Sequence, residues 1–387
     1  MNLWMSQQMK FSRRFPKAKR AVTQFVAFLA CCSLLAVPME SPSGAAGGTL
    51  KWIVSGPTSG PSGFGYNNVS CVGAHCVAIG YPCGADACGG ARAGQYFLMS
   101  HIQVFFTNNS GLTWTKGTQP ANVFAEESVV CANVLNCLMI GTKDSQSVML
   151  GTGNGGRSWA ILKLPTNFEP VTSSCVSKSD CVVAGTDSNF SKPEIYRTNS
   201  RGTSWSKMSS PPAPSGISLV ECSSATSCVV ASGYGATMFA TSNGGSQWRA
   251  VVTPMGFTEF GSVDCPTVNR CVMVGNQMTA VSLNGGLSWK RSKLPADVLL
   301  FGVSCLTSLK CVAVGETLLN VGTGKRMNTI YESNNGGGSW KIATLPVNYL
   351  GALSAVSCTP SQCLAVGYRT GGSAFAPTAV ALVLVGS

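Results

Sequence analysis

The chain has 387 residues, 45% of them hydrophobic and 11% charged, with 44 glycines and a formal net charge of +12. That balance excludes a disordered chain and a simple fibrous repeat, and points to a turn-rich globular protein. The 18 cysteines exclude an ordinary reducing compartment once their regular pairing is seen.

From the N-terminus, Lys10, Arg13, Arg14, Lys17, Lys19 and Arg20 precede an apolar run from Ala21 to Pro38, followed by small residues at Ser43, Gly44, Ala45 and Ala46. A basic stretch, an apolar stretch and small residues form the pattern of a secretory signal, with cleavage expected near Ala45. Residues 21–38 are also about long enough to stay in place as a membrane tether, which needs roughly 17 to 25 residues. Residues 1–45 are therefore expected to be a signal peptide or N-terminal anchor, and 46–387 the folded domain, secreted or held outside the cytoplasm. Without residues 1–45 the chain keeps 21 basic and 14 acidic side chains, a net +7. Those charges are scattered, so no nucleic-acid partner is expected.

The first β-type segment is "GGTLKWIVS" at 47–55. After it, one cysteine pattern recurs along the rest of the chain: Cys71 with Cys76, Cys131 with Cys137, Cys175 with Cys181, Cys222 with Cys228, Cys265 with Cys271, Cys305 with Cys311, and Cys358 with Cys363. Each pair sits between two short β-type runs, as in "GVSCLTSLKCVAVG" (302–315). This spacing predicts a hairpin closed by a local disulfide. Zinc would ask for tighter CxxC spacing and more histidine than His75 and His101, so no metal is expected, and no cofactor.

Every hairpin but the last is followed by a third β-run, an octapeptide turn and a fourth run that starts at tryptophan. The octapeptides are "TNNSGLTW" (107–114), "TGNGGRSW" (152–159), "TNSRGTSW" (198–205), "TSNGGSQW" (241–248), "SLNGGLSW" (282–289) and "SNNGGGSW" (333–340). Trp52, Trp114, Trp159, Trp205, Trp248, Trp289 and Trp340 each lie 16 to 19 residues before the next cysteine pair. Four strands repeated seven times make an all-β, seven-bladed β-propeller with four-stranded blades and one disulfide per blade. The last unit stops after its third strand, "TAVALVLVG" (378–386). Its missing fourth strand is the N-terminal segment, which closes the ring.

Within the octapeptide, Ser/Thr and Asn tie the turn to its own backbone, glycine takes a positive φ, and tryptophan wedges between sheets. The motif resembles the Asp-box, or bacterial neuraminidase repeat, with Asn in most copies where Asp is usual. Sialidases, some endoglucanases, sortilin-type receptor domains and photosystem II assembly factors share that repeat. The resemblance implies a propeller, with the boxes at the third-to-fourth strand turns, away from the ligand face.

Function is then expected on the opposite face, which carries the second-to-third strand loops. From the second cysteine to the next octapeptide the spans are 31, 15, 17, 13, 11 and 22 residues, and 24 to Ser387 in the last unit. The long spans belong to units six, seven and one, which are neighbours in a closed ring. Their candidate binding residues are Tyr81, Arg92, Tyr96, His101, Lys325, Arg326, Tyr368 and Arg369, with a further disulfide expected between Cys83 and Cys88. Aromatic residues and arginine are the types that anchor interfaces.

A sialidase-type enzyme would need an arginine triad and an Arg-Ile-Pro signature, and the latter is absent. The best candidate catalytic carboxylates are Glu221 and Asp264, each immediately before the first cysteine of neighbouring units, where other units carry Ser70, Val130, Ser174, Ser304 and Ser357. They stand towards the octapeptide face. The expectation is a monomeric, non-catalytic propeller that binds a protein or glycan through blades six, seven and one; the alternative is a divergent sialidase-like glycoside hydrolase.

Overall fold

In the computed structural model, residues 49–55, 64–82, 103–144, 146–213, 216–232, 237–253, 260–292, 294, 298–320, 325–346, 351–371 and 378–387 are described. They belong to one unit, Gly47–Ser387. It contains seven four-stranded sheets, each antiparallel between neighbouring strands. Six sheets take their strands in chain order. The seventh orders Gly351–Thr359, Gln362–Gly371, Thr378–Gly386 and then Trp52–Ser55, so the two ends of the chain share a blade. Trp52 pairs with Gly386 and Ser55 with Val383.

Each innermost strand packs on that of the next blade, and that of blade seven on that of blade one. The core is divided accordingly. Seven hydrophobic clusters are present, and each straddles two neighbouring blades; for example, Val77, Ile79 and Phe106 of blade one meet Met139, Leu150 and Trp159 of blade two. Among the described residues, no blade has a core of its own.

The seven expected disulfides are formed, one in each blade. Cys71 is bonded to Cys76, Cys131 to Cys137, Cys175 to Cys181 and Cys222 to Cys228. Cys265 is bonded to Cys271, Cys305 to Cys311 and Cys358 to Cys363. The two residues of each bridge stand directly opposite each other on the first two strands, with Cα–Cα separations of 3.9 to 4.0 Å. Cys83 and Cys88 lie outside the described residues. Each octapeptide turn docks on the cysteine turn of its own blade by a backbone hydrogen bond: Ser110 to Ala74, Gly155 to Leu135, Arg201 to Ser179, Gly244 to Thr226, Gly285 to Asn269 and Gly336 to Leu309. Disulfides and octapeptides therefore share one face of the disc.

The octapeptide chemistry is local. The Thr241 hydroxyl accepts from the Gly245 N–H at 3.0 Å and donates to Asn243 Oδ1 at 2.9 Å, while Asn243 Oδ1 also accepts from the Gln247 N–H. The seven tryptophans of the repeat all have acceptors for their N–H groups. Three bond a glycine of their own turn; Trp205 and Trp248 reach backbone carbonyls near the end of the preceding blade, and Trp340 reaches Thr279 of blade five. Trp52 donates to Glu332 Oε1 of blade six at 2.9 Å.

A feature the motif reading missed lies opposite the residue four places after the second cysteine, a glycine in six blades and Ser232 in blade four. In every blade the innermost strand carries a register shift there, as between Leu300 and Gly302, where Gly315 faces Leu300. A Cβ at Gly315 would sit 1.9 Å from the Leu299 carbonyl oxygen. The bulge bends the inner strand, and at Gly315 only glycine leaves room for the displaced backbone.

Candidate functional site

The described candidate residues fall in two places, the wall of the central channel and the loop face of blades six, seven and one.

In the channel, the residue before each first cysteine reaches the next blade. Ser70 Oγ accepts from the Cys131 N–H at 2.9 Å, Ser174 from Cys222 at 3.0 Å, Ser304 from Cys358 at 3.0 Å and Ser357 from Cys71 at 2.9 Å. Asp264 Oδ2 takes the same role towards Cys305 at 2.7 Å, and Glu221 towards Cys265. Six of the seven blade junctions are tied in this way. The exception follows Val130, which has no acceptor, and there the Ser128 and Ser173 hydroxyls pair at 3.1 Å instead. This belt joins residues 41 to 61 positions apart, or 286 at the closure.

Glu221 and Asp264 are thus brought together, and both are members of the belt. Ser174 donates to Glu221 Oε2 at 3.2 Å. The carboxyls keep partial contact with solvent in the channel yet are surrounded by protein. Burial raises Glu221 well above the carboxylate range, and the charge of Asp264 adds to it. Burial also pushes Asp264 up to about 6, against backbone N–H donors that favour its charge.

Both groups titrate higher in the folded chain than in the unfolded one, so the folded state binds more protons and stability falls as pH rises from about 4 through 6. Asp264→Asn keeps an acceptor for the Cys305 N–H and removes the charge. At about 1.4 kcal/mol per pKa unit, discounted for partial exposure, it is expected to stabilise the fold by about 2 kcal/mol at pH 8. Near pH 4 it should have little effect. Urea midpoints at the two pH values measure this, and equal midpoints at pH 8 would refute it.

On the loop face, the second and third strands of blade six are Cys311–Asn320 and Lys325–Ser333, and those of blade seven are Gln362–Gly371 and Thr378–Gly386. The corresponding strands of blades four and five have five residues each. Four or five extra residues at about 3.3 Å each extend these hairpins by roughly 13 to 16 Å. Lys325 and Arg326 open the third strand of blade six, opposite Asn320 and Leu318. Tyr368 is half-buried on the second strand of blade seven, and Arg369 follows it between Gly351 and Val380. Tyr81 occupies the position in blade one that Tyr368 occupies in blade seven, one residue after the bulge glycine, with its backbone opposite Gly65. Arg92, Tyr96 and His101 lie outside the described residues.

Among the described residues, no group of three or more His, Cys, Asp and Glu is placed to hold a metal ion, and no helix is long and apolar enough to cross a membrane.

A family model described as the DUF6242 beta propeller domain matches residues 109–363. No curated protein matches the chain. Among solved structures, YCF48 from Cyanidioschyzon merolae is similar at 14% identity and a TM-score of 0.58, covering 87% of this chain and 98% of that one. A YCF48 structure described as bound to a D1 peptide is similar at 15% identity and a TM-score of 0.56, covering 88% and 97%. The structure of U3-55K follows at 11% identity and a TM-score of 0.55, covering 87% and 98%. Likeness at these identities is a likeness of fold.

Proposed function

The chain belongs to the DUF6242 β-propeller family, and from that premise we propose that it is a non-catalytic, monomeric binding propeller working outside the cytoplasm. Its ligand is a protein segment held on the loop face of blades six, seven and one. The observation that carries this reading is the lengthening of the blade six and seven hairpins on that face alone, since insertions concentrated on one side of a repeat ring build binding surfaces. A propeller of the same architecture, YCF48, is described with a peptide bound, which favours protein over glycan. Seven disulfides fit an oxidising environment, and residues 1–45 would serve as the export signal, or as a tether through 21–38.

Glycoside hydrolysis would need two carboxyls roughly 5 to 9.5 Å apart and open to a sugar. Glu221 and Asp264 instead tie strands together by accepting backbone hydrogen bonds, so no observation favours the hydrolase.

Photo-crosslinking tests the binding reading. A benzoylphenylalanine at position 368 or 369 is expected to capture a partner protein from the native compartment. The same residue at Leu283, 66% exposed on the octapeptide of blade five, should not. Equal capture at both positions, or none at 368 and 369, would overturn it.

A further inference from the structure

Propeller blades normally cover the outer edge of the third strand with the fourth. In blades four and five this holds: three of the five residues of Thr237–Thr241 and of Met278–Ser282 pair with the outer strand. The cover is shorter elsewhere. Blade seven pairs only Val383–Gly386 of its third strand. Blades one, three and six have a fourth strand of only two residues, and of those three the longest third strand belongs to blade six. Its third strand, Lys325–Ser333, pairs with the second strand along its length. Its fourth strand, Lys341–Ile342, faces only Tyr331 and Glu332, and the Ala343 N–H adds one bond to the Ile330 carbonyl at 2.8 Å. Lys325–Thr329 therefore has no outer strand partner among the described residues.

Alternation fixes which groups are left over. The Ile330 carbonyl points outward to Ala343, so the N–H and C=O of Asn328 and Arg326 point outward too. An edge of this kind is a template for another strand. A second, independent feature lies in the same stretch. Asn328 is 3% exposed, and neither its Nδ2 nor its Oδ1 has a partner. It shares a strand face with Ile330, which packs in the cluster between blades six and seven. An unpartnered buried carboxamide is costly, and this one lies on the same short stretch as the open edge.

Charge selects the occupant. The open stretch begins with Lys325 and Arg326 in a chain that keeps a net charge of +7 without residues 1–45. Two such edges would repel, so a second copy is disfavoured, while an acidic strand would be attracted.

We propose that the outer edge of Lys325–Thr329 is a strand-addition site for an extended acidic segment of a partner protein, paired with the Arg326 and Asn328 backbone. It deepens the loop-face reading above and rests on it. Recognition would be mainly through main-chain hydrogen bonds, with the two cations setting the preference for acidic side chains.

The probe is a fluorescein-labelled Glu-Val-Glu-Val-Glu-Val peptide titrated into the full chain at low salt and followed by anisotropy. Wild type is expected to bind it. N-methylating alternate peptide amides keeps the charge but removes the main-chain donors, and should weaken binding roughly tenfold, as expected for two lost hydrogen bonds at about 0.7 kcal/mol each. Arg326→Pro deletes one outward N–H together with the charge, so it should weaken binding roughly three- to tenfold, and an edge strand tolerates proline there. Arg326→Gln, which keeps that N–H, should cost about threefold or less, the scale of one exposed charge contact. The proposal falls if the methylated peptide binds as tightly as the parent, if Arg326→Pro folds and still binds like wild type, or if wild type binds nothing. The peptide arm stands even if Arg326→Pro does not fold. A partner captured at position 368 or 369 alongside an indifferent peptide would sink the strand-addition site alone; absence of any capture would sink the loop-face reading as well.

Discussion

Complete reduction of the seven disulfides is expected to unfold the propeller at physiological temperature. Each bridge spans a sequence separation of only 5 or 6, so each contributes modestly, about 2 kcal/mol by loop-closure entropy. Seven together reach about 15 kcal/mol, as large as the whole net stability of a typical domain. The effect is compounded by position. Every bridge pins the innermost hairpin of its blade, and the inner strands carry both the belt of hydrogen bonds and the blade-to-blade packing. Urea titration followed by tryptophan fluorescence, with and without a phosphine reductant, measures this. A reduced protein that kept its midpoint would show that packing alone holds the ring. Removing a single bridge, as in the double change of Cys305 and Cys311 to serine, should cost only about 2 kcal/mol.

Glu332→Ala should have the largest effect of any single substitution named here, about 3 to 5 kcal/mol. Glu332 is 5% exposed and accepts from Trp52 Nε1 at 2.9 Å and from the Leu50 N–H at 3.3 Å. These bonds latch the N-terminal strand, the outermost strand of blade seven, onto blade six across a sequence separation of 280. Alanine leaves two buried donors without partners beside a cavity, and each hydrogen bond to a charged acceptor is worth about 1.5 to 3 kcal/mol. Glu332→Gln retains an acceptor and should lose about 1 kcal/mol. The urea midpoint gives the size, and limited proteolysis gives the place: the alanine variant should release fragments cut between Ser55 and Phe64 well before any other cleavage. Uniform cleavage around the ring would argue against a latch at this position.

The number of blades, the closure and the cysteine pairing were legible in the sequence because each is a matter of period and order along the chain. Two other features were less so. The glycine four residues after the second cysteine is visible in "CVVAG", "CVMVG" and "CVAVG", yet its reason is a bulge on a different strand. The residue before the first cysteine stood out as Ser, Glu or Asp, but its partner is the backbone of the next blade, and no local pattern reports that distance. Glu221 and Asp264 therefore read as a candidate catalytic pair, while their geometry is that of the serines beside them. For the loop face, the sequence located the long spans of blades six and seven but could not show that they extend as paired strand rather than as loop. Arg92, Tyr96 and His101 lie outside the described residues.

The closing of the ring by the first strand against the last also governs the order in which the molecule can form. Each disulfide is local, so a hairpin can be stapled as soon as its own two strands have emerged. The clusters between blades can then condense one after another, with little chain entropy to overcome. Trp52 must wait for Gly386, a pairing that spans almost the whole folded unit. The nascent protein is therefore an open arc of stapled hairpins with an unmatched apolar edge at each end, and the interval before those edges meet is when it most needs protection from its neighbours.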